Sequence, residues 1–484
     1  MRDKLFIGGR WVDPVGAGSI DVIEAATEEP LGTVPDASGA DIDRAIAAAR
    51  QAFDLGDWAG SAAEERADVM AALCSSLTAR HQEIAELISR ENGSPLTFSV
   101  TGQVLSSTAV LDYYARLART FVFEEEREGA YRPIIVRREP VGVVGAIVPW
   151  NVPLFVIMLK LAPALAAGCT MVLKPAPETA LDAYVLAECA EAAGVPPGVL
   201  NIVAADREAG EHLVTHPDID KVSFTGSTAA GRRIASLCGE RLRRCTLELG
   251  GKSAAIVLDD ADLASSIDAL LLGTTFMNNG QACVAQTRVL ASRKRYDEVA
   301  DALVERTRSL RVGDPLDPTT EIGPLVAKRQ QDRVLGYIAT GKAEGAKVAV
   351  GGGVPVDQPR GWYVEPTVFV NVDNQMTIAR EEIFGPVVAV IPYEDIDDAV
   401  RIANDSPYGL AGSVWTQDRE AGIGVARRVR TGTFGLNGLG MEFGGPFGGY
   451  KCSGIGRELG PEGLGGYLEY KTIVDNASVV HEQS

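Results

Sequence analysis

A strand–helix rhythm between residues 168 and 240 is the feature that most restricts the fold of this chain. Three strand-like segments, "GCTMVLKPA", "GVLNIVAA" and "IDKVSFTGS", are each followed by a helical segment, namely "TALDAYVLAECAEAAG", "REAGEHLVTH" and "TAAGRRIASLCGE". Short strands that alternate with helices form parallel βαβ units, because a parallel neighbour is reached only through a crossover. The rhythm therefore predicts a doubly wound α/β sheet.

Helices precede this region, and a second α/β region follows it. Segments 41–53 and 62–93 carry apolar residues at three- and four-residue spacing, and the second closes on Asn92-Gly93. "YRPIIVRREPVGVVGAIVP" reads as strands, and so do the later segments "SAAIVL", "TRVLAS", "AKVAVGG", "YVEPTVFVNV" and "VVAVIPY". The tail "GGYLEYKTIVDNASVV" predicts an isolated strand that pairs with an edge in this subunit or in a neighbouring one.

Composition excludes several classes of function. A chain of 484 residues that is 46% hydrophobic and 23% charged is typical of a soluble globular protein with two or three domains. The formal charge of -19 disfavours a nucleic-acid partner, because it repels polyanions. The most apolar run is interrupted by prolines, an asparagine and a lysine, so no membrane span of about 20 apolar residues is expected.

The cysteines and histidines predict neither a disulfide framework nor a metal site. The seven cysteines are scattered, odd in number and without a CxxC pair, and the four histidines lack metal-ligand spacing. We therefore expect a reduced, cytoplasmic protein without a metal.

The glycine-rich stretch "TLELGGKSAAIVL" (246–258) looks at first like the end of a phosphate-binding loop. A P-loop, G-x-x-x-x-G-K-[ST], would need glycine where this chain has Thr246, and a helix where "AAIVLDD" reads as a strand. A G-x-G-x-x-G fingerprint is absent as well, because "GIGRELG" has one residue too many before its last glycine. The acidic residue beside the glycines, Glu248, is therefore the feature that needs an explanation.

Cys283 is the candidate nucleophile, and it lies in the turn-like segment "NNGQACVAQTR". A thiol becomes a strong nucleophile only as the thiolate, which requires partial exposure and a favourable field. The alternative is a buried, inert cysteine, which is what we expect of Cys74, Cys169, Cys189, Cys238 and Cys245.

Six motifs together resemble the NAD(P)-dependent aldehyde dehydrogenases in order and spacing. They are "PWN", "FTGST", "ELGGKS", "GQACVAQTR", "EEIFGPV" and "PFGGYKCSGIGRELG", and the resemblance runs from about residue 5 to the C-terminus. It implies an α/β fold with two doubly wound α/β domains and a small β oligomerisation arm. The implied bounds are 1–120 and 141–249 for dinucleotide binding, 250–450 for the catalytic domain, and 121–140 and 451–484 for oligomerisation.

The resemblance implies a mechanism that passes through a thioester. Cys283 would attack the aldehyde to give a thiohemiacetal, whose oxyanion would be held by Asn151 and the Cys283 backbone N–H. Loss of hydride to the nicotinamide would leave a thioester, and Glu248 would activate the water that hydrolyses it. Lys160 and Glu458 match a pair proposed to relay protons from that base, with an ordinary salt bridge as the alternative reading.

The same mapping assigns a cofactor site spread along the chain. The residues matched to it are Trp150, Lys174, Gly226, Ser227, Leu249, Glu382 and Phe384. Two departures concern the adenosine end: Pro177 replaces a glutamate common in members that prefer NAD, and "AADREAG" keeps only Gly210 of a glycine-rich turn. We favour NAD because no arginine lies nearby in sequence to bind a phosphate, and NADP stays open.

The matched substrate-tunnel positions are all apolar. They are Val152, Phe155, Val156, Leu159, Ala282, Val284, Leu439, Met441 and Phe447. Without a charged anchor, the expected substrate is a hydrophobic aldehyde, either aromatic, terpenoid or medium-chain aliphatic. Arg244, Arg457 and Glu469 match positions that brace the oligomerisation strand, so a homodimer or homotetramer is expected.

Three alternatives compete with this interpretation. A CoA-acylating enzyme of the same family typically lacks the base, so Glu248 argues against it. A thiol hydrolase or esterase would have no use for Lys174 and "EEIFGPV". A non-catalytic homologue would not need Cys283, Asn151 and Glu248 together.

Overall fold

The computed structural model describes residues 2–475, so residues 476–484 of the expected oligomerisation segment lie outside the described part. Its strands are, in chain order, β1 (Leu5–Ile7), β2 (Arg10–Val12), β3 (Ser19–Ile23), β4 (Pro30–Pro35), β5 (Glu124–Arg127), β6 (Ile134–Pro140), β7 (Val143–Ile147), β8 (Thr170–Lys174), β9 (Leu200–Ile202), β10 (Lys221–Thr225), β11 (Arg244–Glu248), β12 (Ala254–Val257), β13 (Arg288–Ser292), β14 (Lys347–Val350), β15 (Thr367–Val370), β16 (Val387–Tyr393), β17 (Gly412–Trp415), β18 (Gly435–Leu436), β19 (Gly454–Ile455) and β20 (Leu468–Val474).

The helices are α1 (Gly39–Asp54), α2 (Ala63–Ala79), α3 (His81–Asn92), α4 (Leu96–Phe98), α5 (Ser106–Thr120), α6 (Pro153–Ala167), α7 (Leu181–Ala192), α8 (Arg207–Thr215), α9 (Thr228–Glu240), α10 (Leu263–Leu270), α11 (Tyr296–Arg308), α12 (Lys328–Ala343), α13 (Thr377–Arg380), α14 (Ile396–Asn404), α15 (Arg419–Ala426) and α16 (Gly460–Gly465). The periodic segment 62–93 forms two helices because the chain leaves helical geometry at Arg80. Gly93 ends α3 in the left-handed conformation (φ 78°), as the Asn-Gly pair predicts.

The first large sheet has the strand order β19-β11-β10-β7-β8-β9-β1-β2, and β11, β10, β7, β8 and β9 are parallel. The predicted strand–helix alternation from 168 to 240 is confirmed. Strand β8 is buried along its whole length, as expected of a strand whose two faces are both covered by helices.

The second large sheet has the order β14-β15-β16-β13-β12-β17-β18, and only the β14–β15 pair is antiparallel. Two doubly wound α/β units are therefore present, as predicted. Residues 249–253 connect the last parallel strand of the first sheet, β11, to β12 in the second, so "ELGGKS" lies where the two sheets meet.

The third sheet is a small arm with the order β20-β6-β5. The tail strand that the sequence left without a partner, β20, pairs antiparallel with β6 from Leu468↔Pro140 to Val474↔Ile134. The expected segment 451–484 is not uniform, because β19 within it pairs with β11 of the first sheet. A fourth sheet consists of β3 and β4. Within residues 2–475, no helix is both long and apolar enough to cross a membrane.

Candidate active site

The candidate site lies beyond the carboxyl ends of the parallel strands of the first sheet, where α/β sheets bind ligands. Trp150 and Asn151 follow β7, Ser227 follows β10, and Glu248 is the last residue of β11. A cavity of about 500 Å³ opens between these residues and the second sheet. Every residue predicted for catalysis, cofactor binding or the tunnel lines this cavity, except Lys160 and Lys174.

Cys283 is positioned by an unusual turn. Asn278, Asn279 and Gly280 all have left-handed backbones, with φ of 51°, 59° and 71°. Asparagine is among the few non-glycine residues that tolerate this conformation, and here the side chains hold it. Asn279 Nδ2 donates to the backbone oxygens of Gly93 (2.8 Å) and Pro324 (3.0 Å).

Asn151 is bonded to the same turn. Its Nδ2 donates to the Gln281 backbone oxygen (2.8 Å), and its own backbone oxygen accepts from Asn278 Nδ2 (2.8 Å). The side chain is buried and lines the cavity. An amide nitrogen carries two hydrogens, so a second donor is available beside the Cys283 segment.

The surroundings of Cys283 keep its thiol protonated. Burial, together with the carboxylates of Glu382 and Glu248, raises the pKa of the Cys283 thiol to about 12. A thiolate requires a favourable field, and the field at Cys283 opposes the thiolate. Attack on a substrate therefore requires that the thiol lose its proton to a nearby base.

The two glycines after Glu248 allow groups to approach the backbone closely. A Cβ on Gly250 would lie 2.4 Å from Glu382 Oε2, and one on Gly251 would lie 2.3 Å from the Cys283 backbone oxygen. Both distances are too short for a side chain, so glycine at these two positions permits close approach at a crowded site. The Gly251 N–H also donates to Glu382 Oε1 at 2.8 Å.

Glu248 is buried, and among residues 2–475 no group makes a hydrogen bond of ordinary geometry to either of its carboxylate oxygens. Burial and the charge of Glu458 raise the pKa of Glu248 well above its usual range, while Lys160, Arg457 and the Gly449 N–H oppose the shift more weakly. A carboxyl group in this state takes up a proton readily, as a general base must.

Lys160 and Glu458 form a buried ion pair directly behind Glu248. The distance from Lys160 Nζ to Glu458 Oε1 is 2.6 Å, and Nζ also donates to Thr225 Oγ1 at 2.7 Å. Both side chains are buried, and Glu458 Oε2 has no hydrogen-bond partner among the described residues. The free oxygen distinguishes this pair from a fully satisfied salt bridge.

The "EEIFGPV" segment forms a strained turn on the opposite wall. Phe384 adopts a left-handed backbone (φ 64°), which a bulky residue rarely does. Its ring meets Trp150 edge to face, with centroids 5.3 Å apart. Burial raises the pKa of Glu382 to about 7.

Helix α9 begins at the edge of the cavity. The Ser227 side chain caps it by accepting from the Ala230 N–H (3.3 Å), and the Gly226 N–H donates to the Glu248 backbone oxygen (3.0 Å).

Lys174, at the end of β8, is buried and lies away from the cavity wall. Burial lowers the pKa of Lys174 to about 8.

The cavity wall includes residues that the motifs did not identify. They are Phe98, Gly102, Ser106, Met277, Gln330, Arg333, Thr433, Gly440 and Phe443, while Pro149, Thr225 and Gly250 lie within the motifs. Arg333 supplies a charge that the predicted tunnel lacked, but it lies at the Glu382 end, where its Nη2 donates to the Glu382 backbone oxygen (2.6 Å). No sequence pattern marked α12, because only tertiary packing brings it to the site.

Comparison with known proteins agrees with this arrangement. The model of the aldehyde dehydrogenase family matches residues 11–473. Geranial dehydrogenase from Castellaniella defragrans is 50% identical over 473 residues, which are 98% of this chain and 98% of that protein.

Two solved structures illustrate the similarity of the fold. The NAD+ complex of a Mycobacterium tuberculosis aldehyde dehydrogenase has a TM-score of 0.96 and 51% identity, and the match covers 98% of each chain. A mutant of aldehyde dehydrogenase C from Pseudomonas syringae, in complex with NAD+ and octanal, has a TM-score of 0.94 and 42% identity over 98% of this chain and 96% of that one. The chain belongs to the aldehyde dehydrogenase family and is an oxidoreductase that acts on aldehydes.

Proposed function

We propose that this protein oxidises a hydrophobic aldehyde to the carboxylic acid with NAD, through a thioester on Cys283. The observation that carries the proposal is the convergence of Cys283, Glu248 and Asn151 on one cavity whose wall is otherwise mainly apolar. A nucleophile, a base and an oxyanion donor in one water-restricted site are what acyl transfer through a thiol requires.

In the first step the Cys283 sulfur attacks the aldehyde carbon. The thiol proton leaves as the carbon–sulfur bond forms, and Glu248 is the buried carboxylate opposite that takes it up. The second Nδ2 hydrogen of Asn151 and the Cys283 backbone N–H stabilise the oxyanion of the thiohemiacetal. Losing one such donor typically costs on the order of 100- to 1000-fold in rate.

The residues around the cavity suit a dinucleotide. A helix N-terminus at Gly226–Ser227 offers N–H groups to a pyrophosphate, and a side chain on Gly250 would collide with Glu382. Glu382 and Phe384 would hold the nicotinamide riboside, with Trp150 and Leu249 beside it. When bound, NAD supplies the acceptor for the hydride that leaves the substrate carbon.

In the last step Glu248 activates a water molecule. The protonated carboxyl returns to the carboxylate by passing its proton on, and it then removes a proton from water as the oxygen adds to the thioester carbon. The Cys283 sulfur leaves, and the carboxylic acid is released. The raised pKa of Glu248 makes it a stronger base than an ordinary carboxylate.

We infer a hydrophobic substrate, and a terpenoid or medium-chain aldehyde fits best. All nine predicted tunnel residues line the cavity, and Phe98, Met277 and Phe443 add further apolar surface. The named activity of the Castellaniella relative concerns geranial, a terpenoid aldehyde, and the Pseudomonas structure holds octanal. Geranial and octanal are both apolar aldehydes without a charged group.

We propose NAD as the preferred cofactor over NADP. Although Pro177 removes the acid expected after Lys174, the carboxylates of Glu178, Asp206 and Asp36 all act on the Lys174 ammonium. A 2′-phosphate would add negative charge to this acidic neighbourhood. Gly210 packs against the same lysine, because a Cβ on Gly210 would approach Lys174 Cε to 3.2 Å.

The domain roles, assembly and location are proposed on the same basis. We assign dinucleotide binding to the first sheet, catalysis to the second and oligomerisation to the β20-β6-β5 arm, and we expect a homodimer or homotetramer. The scattered cysteines, which are all free thiols, are consistent with a reduced cytoplasmic location.

Two variants of the catalytic residues test the function. Cys283→Ala should abolish aldehyde-dependent formation of reduced nicotinamide, followed by absorbance with a panel of aldehydes, while NAD binding measured by calorimetry persists. Glu248→Gln should slow the first half-reaction, because Glu248 takes up the thiol proton, and should then stall at the thioester, giving at most one equivalent of reduced nicotinamide per site. The steady-state rate should then fall by on the order of 100-fold or more.

The alternatives predict different results. A thiol hydrolase would cleave esters with no absorbance change in any aldehyde assay. A CoA-acylating enzyme would turn over in Glu248→Gln as soon as CoA is added. The exposed Glu240→Gln on α9 serves as the matched control and should leave both phases unchanged.

A further inference from the structure

A stripe of polar side chains runs along one face of β10 and β11, away from the active site. Alternate residues of a strand share a face, so Lys221, Ser223 and Thr225 of β10 point the same way. Their partners in register on β11 include Thr246, opposite Ser223, and Glu248, opposite Thr225. Thr225 lies four positions after Lys221, which is about 13 Å along the strand.

The stripe ends in a second cavity. This cavity has a volume of about 400 Å³ and is lined by Lys221, Thr246, Arg244, Cys245, Gly456, Arg457, Glu462 and Gly466. Arg244 and Glu462 on its wall are exposed, so the cavity communicates with solvent. The stripe therefore joins the proposed base, Glu248, at one end to a solvent-accessible cavity at the other.

Polar groups from other elements cover the stripe along its length. Lys160 from α6 donates to Thr225 Oγ1, and the Tyr467 hydroxyl donates to Ser223 Oγ at 3.2 Å. Lys221 Nζ donates to Thr246 Oγ1 at 2.7 Å and lies 4.9 Å from the centre of the Tyr467 ring. Burying so many polar groups between a helix and a sheet is costly, and apolar residues would pack there without that cost.

We propose that this stripe is the route by which the proton of thioester hydrolysis leaves the enzyme, with Lys221 as its outer carrier. The proposal rests on the proposed function and extends it beyond the Lys160–Glu458 pair. Hydrolysis of the thioester with water yields the carboxylate product, the Cys283 thiol and one proton. Glu248 takes that proton from the attacking water.

The proton then moves outward. Protonated Glu248 gives it to Glu458, whose Oε2 is free to accept it. Hydroxyl groups both donate and accept, so those of Thr225, Ser223 and Tyr467 carry the proton along the sheet to Thr246, whose Oγ1 is bonded to Lys221 Nζ at 2.7 Å. The Lys221 ammonium ion releases one proton to solvent in the second cavity and returns to the amine.

The charges around Lys221 suit a group that gives up a proton near neutral pH. Burial lowers the pKa of Lys221 to about 8. The groups that face it are Lys160 of α6, which lowers the pKa further, and Glu458, Cys169 and Cys245, which raise it. Arg244, Arg457 and Glu462 surround the outer cavity.

Removing the amine and restoring it from solution tests the route. Lys221→Ala should slow hydrolysis of the thioester, so that the steady-state rate falls by ~10-fold or more while a burst of reduced nicotinamide still forms. The burst also counts folded, active sites, so a folding defect is not mistaken for slow hydrolysis. Small primary amines should restore the rate in proportion to their basicity when amines of equal size are compared.

Further variants separate proton transfer from charge and packing. Lys221→Arg keeps the positive charge but cannot lose a proton at working pH, so it should be as slow as Lys221→Met. Lys252→Ala removes another buried lysine outside the stripe, and amines should not restore whatever activity it loses. Tyr467→Phe should slow hydrolysis and leave the burst unchanged.

Two outcomes would overturn the proposal: normal steady-state turnover in Lys221→Met, or amine rescue that follows molecular size and not basicity. Undiminished activity of Cys283→Ala would instead refute the thioester mechanism, so failure of the route and failure of the function are distinguishable.

Discussion

At the scale of single residues, the site disfavours the charged forms of its reacting groups. The Cys283 thiol and the Glu248 carboxyl both have raised pKa values because of desolvation and of neighbouring carboxylates. A neutral thiol next to a latent base resists alkylation and oxidation until a substrate arrives. In the proposed mechanism the same carboxylate, Glu248, activates the nucleophile and later activates water.

Reactivity of Cys283 in the cofactor-free enzyme should therefore be low and should keep rising at high pH. A shift of the pKa from 9.0 to about 12 lowers the thiolate fraction at pH 7 by ~1000-fold. The alkylation rate with iodoacetamide, followed by mass spectrometry of the Cys283 peptide, should rise about tenfold per pH unit through pH 9.5. A plateau below pH 9 would show that the thiolate is stabilised and not opposed. Cys452, half-buried and on the surface, provides an internal comparison.

At the scale of elements, a π-helical turn shapes the cavity. Residues Ser99–Leu105 between α4 and α5 form this turn and place Gly102 and Phe98 on the cavity wall. A Cβ on Gly102 would lie 2.6 Å from Phe98 Cε2, which is closer than real contacts allow. π-Helical turns are frequent at functional sites, and here the missing side chain gives the aromatic ring its position.

Gly102→Ala should consequently narrow the substrate specificity. The new methyl group displaces the Phe98 ring, and long or branched aldehydes should lose kcat/KM by about 10-fold relative to short ones. The measurement is kcat/KM for octanal and propanal in parallel. Gly239→Ala is the matched control, because a Cβ at this exposed helical position meets nothing within 4 Å. Equal loss for both aldehydes would show a general defect and not a narrowed cavity.

The contrast between these elements explains what could be predicted from sequence. Strands such as β8 and β10 were predictable, because burial of a β-branched run is a local property. Cys283 and Glu248 could be predicted as candidate site residues, because short motifs contain them. The presence of Gly102 and Arg333 at the cavity could not be predicted, since their positions depend on how separate helices pack around it. The raised pKa of Cys283 was also missed, because it depends on carboxylates distant in sequence.

At the scale of the whole molecule, the small β20-β6-β5 arm presents a strand edge without a pairing partner among residues 2–475. Strand β20 pairs with β6 on one side, and no strand among residues 2–475 pairs with its other side. Tyr470, Ile473 and Val474 on it are 63%, 42% and 49% exposed. An open strand edge that carries exposed apolar side chains is a surface that natural proteins cover, most often with another subunit. Arg244 and Glu469 form an ion pair that fixes the base of this strand to the first sheet.

Assembly should therefore depend on the exposed apolar side chains of β20. Ile473→Asp places a charge in the proposed interface while leaving the β6 ladder intact, so the oligomer should dissociate toward the 51.2 kDa monomer. Analytical ultracentrifugation over a range of concentrations measures this. Val356→Asp changes a 92% exposed apolar residue elsewhere and should leave the mass unchanged. A monomeric wild-type enzyme, or an Ile473→Asp variant that keeps the wild-type mass, would show that this strand does not hold the assembly together.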